Sequence, residues 1–328
     1  MACLTTKYDF WTAIPLAVDS CQVGDDIFVI QKWQWDVFSI HRWDIKSTKW
    51  ETIECKNQRL IENCKSGNGK DFAIYSSNGK MYMWRELTHG SRFIVFDPMT
   101  YEWTLLAQVN ISPIQSNFII LGDNVYINDH ETIMVIDFRA LNGWTPMIVN
   151  KQPYKNHICA MNDMVYLIEV FGNRRHLGIY DKDTKAFRHI RQCKAENLGE
   201  GEYRTSSYTY NNMIYQGTQL NERFVIESLD IETMKYQTIF DNNIGGTVIS
   251  ISGTDQHVYI VSHLKDTLSV SVIDLNPSLE TISLISLVDQ TIDMKKDDIK
   301  IVLPYELRER FDNMATRRRE ELKAVEKK

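Results

Sequence analysis

One pattern written six times constrains this chain more than any other feature. A short β-branched run carries an aromatic residue, and a second apolar run further on ends in Asp. The aromatics are Phe28, Tyr82, Tyr126, Tyr166, Tyr215 and Tyr259, and the paired aspartates are Asp44, Asp97, Asp137, Asp181, Asp230 and Asp274. The separation is 15 residues in four copies, 16 in the first and 11 in the third. In five copies another aromatic follows the Asp by six or seven positions: Trp50, Trp103, Trp144, Phe187 and Tyr236. Successive aspartates lie 40 to 53 residues apart. A unit of that size cannot bury its apolar face alone, so it must stack against copies of itself in a propeller or solenoid.

The sixth copy shows how a unit is built. Val248–Gly253, His257–Val261, Leu268–Ile273 and Glu280–Ile285 are four short alternating runs separated by Asp, Asn, Gly and Pro. Period-two alternation with such punctuation predicts a four-stranded antiparallel meander. The first turn recurs as Gly24-Asp-Asp26, Asn78-Gly79, Gly122-Asp-Asn124, Asn162-Asp163 and Asn211-Asn212. These residues tolerate the positive φ of a tight hairpin. The third turn recurs as Asp44-Ile-Lys-Ser-Thr48, Asp97-Pro-Met-Thr100, Asp181-Lys-Asp-Thr184 and Asp230-Ile-Glu-Thr233. An Asp there can accept backbone amides two residues on. The recurrent Tyr and Trp are read chiefly as packing between neighbouring sheets.

Turn, strand aromatic and Asp-x-x-Thr-x-x-Trp together resemble the Kelch repeat. The nearest copies are Lys80-Met-Tyr-Met83 with Val95 to Trp103, and Asp26 to Ile30 with Arg42 to Trp50. The resemblance spans roughly residues 14–290 and lacks the double glycine after the second strand. The approximate places of that pair hold Gln31-Lys32, Trp84-Arg85, Asn128-Asp129, Glu169-Val170, Gly217-Thr218 and Ser262-His263. No recurring Gly-His…Trp-Asp pair points to the WD-type propellers of similar period. The resemblance implies an all-β, six-bladed propeller over 1–304, with blades near 14–55, 70–108, 114–150, 156–193, 204–241 and 247–287. Either 6–14 or 298–303 would close the ring, which removes free sheet edges.

Composition narrows the setting. The 328 residues carry a net charge of −6 and are 43% hydrophobic, which argues against nucleic-acid binding by bulk electrostatics. Cys3, Cys21, Cys55, Cys64, Cys159 and Cys193 show neither a CxxC pair nor a repeated spacing, so neither a disulfide framework nor a zinc site is expected. No apolar run reaches the roughly 18 residues that span a bilayer, and the start has no signal-peptide h-region. A cytoplasmic, or nuclear, protein without membrane attachment is the expectation. Residues 305–328 are charge-dense, and Leu307, Phe311, Met314, Ala315 and Leu322 recur at helical spacing. They are read as a helical tail able to dock a partner. Leu307-x3-Phe311-x3-Ala315 loosely resembles the elongin-binding box of ubiquitin-ligase receptors, with Phe where Cys is usual.

The eight histidines form no metal-binding spacing, and no nucleophile elbow, P-loop or dinucleotide fingerprint occurs. No catalytic residue, metal or cofactor is therefore expected. In Kelch-like propellers the connections between second and third strands crowd one face. Here that segment carries Trp33, Trp35, Trp84, Arg85, His89, Arg92, Arg174, Arg175, His176, Arg223, His263 and Lys265. Trp and Arg dominate binding hot spots, and Arg matches carboxylates bidentately. The expectation is a non-catalytic protein-binding propeller, a scaffold or adaptor, holding a peptide with acidic side chains or a free C-terminus. The alternative is a propeller enzyme with an axial metal or acid/base site.

Overall fold

A computed structural model describes residues 3–9, 17–33, 37–61, 72–87, 90–109, 117–129, 132–137, 147–151, 156–171, 174–181, 184, 186–194, 204–244, 246–254, 256–264 and 267–275. The expected tail at 305–328 and the run at 298–303 lie outside these residues.

The first strand, β1 (Cys3–Asp9), stands apart from its sequence neighbours. The next four, β2 (Ala17–Val23), β3 (Asp26–Lys32), β4 (Phe38–Asp44) and β5 (Lys49–Ile53), form the first antiparallel sheet in chain order. The second sheet is β6 (Phe72–Ser77), β7 (Lys80–Leu87), β8 (Gly90–Asp97) and β9 (Glu102–Val109). The third is β10 (Asn117–Leu121), β11 (Asn124–Asp129), β12 (Thr132–Asp137) and β13 (Met147–Lys151). The fourth is β14 (Asn156–Met161), β15 (Met164–Phe171), β16 (Arg174–Asp181) and β17 (Ala186–Lys194). The fifth is β18 (Arg204–Tyr210), β19 (Met213–Leu220), β20 (Arg223–Asp230) and β21 (Lys235–Asn243). The sixth contains β22 (Thr247–Gly253), β23 (His257–Leu264) and β24 (Thr267–Asp274), and its outer strand is β1.

Turn chemistry explains these elements. Both central residues of the Asn78-Gly79, Asn162-Asp163 and Asn211-Asn212 turns have positive φ, the geometry that joins twisted strands in two residues. In the third turn, Asp44 Oδ1 accepts the amides of Lys46 at 2.8 Å and Ser47 at 3.1 Å. Asp97 accepts the Met99 amide at 2.9 Å, Asp181 the Thr184 amide at 3.2 Å, and Asp230 the Glu232 amide at 2.9 Å. Hydrogen-bond donation favours the carboxylate form, so Asp44 and Asp97, chiefly through backbone amides, and Asp230, first through the Thr233 hydroxyl at 2.7 Å and then the Thr233 amide, are held below the usual range.

The strand aromatic faces the residue two positions before the Asp in every copy: Phe28 opposite Arg42, Tyr82 opposite Val95, Tyr126 opposite Val135. Tyr166 opposite Ile179, Tyr215 opposite Ser228 and Tyr259 opposite Val272 complete the series. The short third copy follows from its strands. β11 and β12 have 6 residues each where β7 and β8 have 8, which removes the four residues by which 11 falls short of 15.

Six joints hold the sheets together. The first and second sheets share Phe28, Phe38, Phe96 and Trp103, and the second and third share Trp84, Phe93, Phe118 and Ile127. The third and fourth meet through Tyr126, Leu167 and Tyr180, and the fourth and fifth through Tyr166, Leu177 and Leu229. The fifth and sixth meet through Phe224, Phe240 and Ile260, and the sixth returns to the first through Tyr259, Leu268 and Trp43. The first strands pack side by side in the same order, β2 on β6, β6 on β10, and so on to β22 on β2. Packing that returns to its start makes a closed, propeller-like ring with β2, β6, β10, β14, β18 and β22 around the axis.

β1 pairs with β24 from Cys3↔Ile273 to Asp9↔Thr267. A strand from the other end of the chain thus occupies the edge of β24 that the sequence assigns to Glu280–Ile285, which lie outside the described residues. It overlaps the 6–14 run and covers an edge that would otherwise be open.

Candidate functional site

Where the chain turns from second to third strand is decided by how far each strand keeps pairing. β7 stays paired with β8 out to Leu87 opposite Gly90, and β15 with β16 out to Phe171 opposite Arg174. β19 and β20 pair out to Leu220 opposite Arg223. Those connections are therefore two residues long, and much of the expected loop face is strand.

Trp84 and Arg85 lie in β7 with 4% and 0% of their surface exposed. Trp84 packs on Phe93 in the joint to the third sheet, and the Arg85 guanidinium lies over the Phe38 ring at 4.9 Å. Arg175, in β16, is fully buried and pairs with buried Glu227 of β20 at 3.1 Å, tying the fourth sheet to the fifth. These three side chains are not available at a surface; burial in the joints replaces the exposure expected from sequence. Arg223 holds Asp241 through two bonds of 2.9 and 2.7 Å, and Arg92 donates to the Leu60 carbonyl at 3.1 Å. His176 and His263 are half-buried within β16 and β23. Arg174 begins β16. Trp35, His89 and Lys265 lie outside the described residues.

Trp33 is positioned differently. Its amide donates to the Val37 carbonyl at 2.8 Å across the 34–36 connection, and its Nε1 donates to Ser39 Oγ at 2.8 Å. Ser39 Oγ in turn meets His41 Nε2 at 3.0 Å, and His41 Nδ1 meets Thr52 Oγ1 at 3.1 Å. Burial pushes the His41 pKa down to about 4, which keeps the imidazole neutral near pH 7. The indole, half-buried beside a 49% exposed Val37, is thus held by a partly buried polar chain.

The second feature is the axial channel, which sequence reasoning did not find. All six inner strands line a cavity of about 600 Å³. Its walls hold Asp19, Ser20, Tyr75, His157, Tyr208 and Ser250 among others. Asp19 is 8% exposed and accepts the amides of Ser20 at 3.0 Å and, from the neighbouring sheet, Ile74 at 3.2 Å. Ser20 Oγ and Ser250 Oγ are in hydrogen-bond contact across the joint between the first and sixth sheets. Burial, aided by the nearby Asp19 charge, drives the Cys21 thiol pKa far up, and burial raises Cys159 to about 12. Burial raises the phenols of Tyr75 and Tyr208 as well. Thiols and phenols in the channel are therefore hydrogen-bonding groups and not anions near neutral pH. Among the described residues no three His, Cys, Asp or Glu side chains gather as a metal-binding group, and no helix is long and apolar enough to cross a membrane.

No protein-family model matches the chain, and no curated protein matches it in sequence. Among solved structures it is similar to the crystal structure of BamB from Moraxella catarrhalis, with 13% sequence identity and a TM-score of 0.39, over 77% of this chain and 71% of that one. The six sheets and their closed packing make this an all-β repeat structure of β-propeller-like form.

Proposed function

We propose that this protein is a non-catalytic, diverged Kelch-like interaction propeller that holds a segment of a partner protein on the face built by its second-to-third-strand connections. The observation that carries the reading is Trp33. A half-buried indole, fixed by Ser39 and the neutral His41, is a rigid aromatic anchor that loses little conformational entropy on binding. The ring supports it. Asn162 in the first turn of the fourth sheet donates to Asn212 in that of the fifth, and Gln219, near the far end of β19, grips β22 at its start through Val248 and Gly246. Those neighbouring inner strands therefore run the same way, and the repeat brings like connections to one end of the ring. The raised thiols of Cys21 and Cys159 favour binding over nucleophilic chemistry at the axis.

With Arg85 and Arg175 buried and Arg223 and Arg92 engaged, recognition of acidic side chains or a free C-terminus on this face falls to Arg174, Lys265 and the Trp33–Trp35 turn. The test is capture of the partner from the source cell, followed by cross-linking. Trp33→Ala with Trp35→Ala should weaken binding by at least tenfold in a chain that still folds cooperatively. Lys46→Ala with Lys49→Ala, in the third turn on the opposite face, should leave it unchanged. Equal loss in both doubles, or cross-links gathered around Lys46, would overturn the proposal.

A further inference from the structure

Between β5 and β6 the chain makes a single 3-10 turn, Gln58–Leu60. The turn is fastened on both flanks. Gln58 Nε2 donates to the Phe38 carbonyl at 2.9 Å, and Arg92 Nη1 donates to the Leu60 carbonyl at 3.1 Å. Phe38 opens β4 and Arg92 stands near the start of β8, so both anchors lie at the end of the sheets where second strands pass to third. Next to the turn, Ile61 is fully buried in the joint between the first and second sheets. On its other side Asn57, at a left-handed φ of 57°, donates through Nδ2 to Glu102 Oε1 at 3.0 Å and to the Trp103 carbonyl at 3.3 Å. Between these anchors Arg59 is exposed, and among the described residues it has neither a hydrogen bond nor an ion pair. The other guanidinium groups of this joint are committed, Arg85 buried over the Phe38 ring and Arg92 on Leu60. The Trp33 turn closes beside the same anchor, because Val37 accepts the Trp33 amide and directly precedes Phe38. Arg59 therefore shares a rim with the Trp33 indole and the half-exposed Val37. Trp and Arg are the side chains that dominate binding hot spots, and a fixed backbone under each lowers the entropy lost on binding.

We infer that Arg59 is the residue by which this face reads charge beside Trp33, and that the segment it takes carries a side-chain carboxylate close in sequence to a large apolar side chain. The apolar group lies on Trp33 and Val37. The carboxylate accepts two parallel hydrogen bonds from the Arg59 fork. A segment that is basic at that point meets a like charge and is rejected. The inference rests on the proposal that the Trp33 face binds a partner, and it adds the chemistry that the face selects.

The test pans a random peptide library displayed on phage against the purified full chain and against its Arg59→Glu variant. Peptides selected by the parent should carry Asp or Glu near Leu, Ile, Phe or Trp, and those selected by the variant should carry Lys or Arg in its place. A synthetic peptide of the parent consensus is then titrated by fluorescence anisotropy. Arg59→Ala should weaken it about tenfold and Arg59→Glu about thirtyfold, through loss and reversal of the charge. Arg59→Lys should cost only about threefold, because the charge stays and the fork is lost. Lys46→Glu, on the opposite face, should change nothing. Trp33→Ala separates the two claims. A consensus peptide that binds Trp33→Ala as well as the parent, or a library that yields no binder, overturns the loop-face reading and this inference with it. A peptide that needs Trp33 yet is indifferent to Arg59→Glu overturns this inference alone, as does selection of the same peptides by both chains. Should Trp33→Ala fail to fold, Val37→Asp, which sets a like charge against the carboxylate, takes its place and should weaken the peptide at least tenfold.

Discussion

Arg175 is the residue on which reading the chain and seeing it folded diverge most, and it supports a quantitative test. Both it and Glu227 are buried, with 0% and 3% of their side chains exposed, at a separation of 3.1 Å. They belong to β16 and β20, so the pair spans the joint between two sheets. Arg175→Ala leaves Glu227 buried without this cation, and Glu227→Ala does the converse. Breaking a buried pair from one side costs about 3–5 kcal/mol, because the surviving group keeps its desolvation cost without its Coulombic return. At about 2 °C per kcal/mol for a chain above 200 residues, each single variant should melt about 6–10 °C lower. The double Arg175→Met with Glu227→Leu should recover most of that loss, since apolar pairs of similar volume often match a buried ion pair. Differential scanning fluorimetry with urea unfolding of all four proteins gives the coupling energy by double-mutant cycle. An Arg175→Ala melting point within about 1 °C of the parent would refute the argument. It would place Arg175 on the surface, where single charges contribute little.

Other predictions follow from packing and titration. Tyr126, 1% exposed and edge-on to Tyr180 at 5.5 Å, should cost about 3–5 kcal/mol as Tyr126→Ala, read by urea denaturation. Gly217→Ala should cost about 1–3 kcal/mol, since a Cβ there would stand 2.6 Å from the buried Phe224 ring; Phe224→Leu in the same chain should relieve part of it. His41 has its folded pKa depressed to about 4 from 6.5, so the unfolded chain binds the extra proton between those values. Its contribution is present in full above pH 6.5 and lost as pH falls towards 4, on the order of 3 kcal/mol. His41→Gln should flatten the stability profile over that window and leave the slope below pH 4, where Asp44, Asp97 and Asp230 protonate, unchanged.

The repeat itself was legible because its information is local. An Asp that binds amides two and three residues on, and an Asn-Gly pair that accepts positive φ, act within one turn whatever surrounds them. The two-residue offset between each aromatic's partner and its Asp is likewise fixed by strand register. Gly217 could be noticed in the sequence as the one glycine left of the expected pairs. The reason for it, the Phe224 ring seven residues on and Ile251 from the next sheet, could not.

Side chains at the ends of strands were the misleading ones. Trp84, Arg85 and Arg175 look like loop residues because they are polar or amphipathic and follow an apolar run. Strand pairing carries β7 to Leu87 and opens β16 at Arg174, and the joints then bury all three. A sequence determines turns and alternation, since these depend on neighbours within one hairpin. Only the closed ring decides which polar groups are buried, which strand caps the sixth sheet and what lines the axis. Ser20 meets Ser250 across 230 residues, and Arg175 meets Glu227 across 52, because six sheets packing in a circle bring together positions that no local pattern relates.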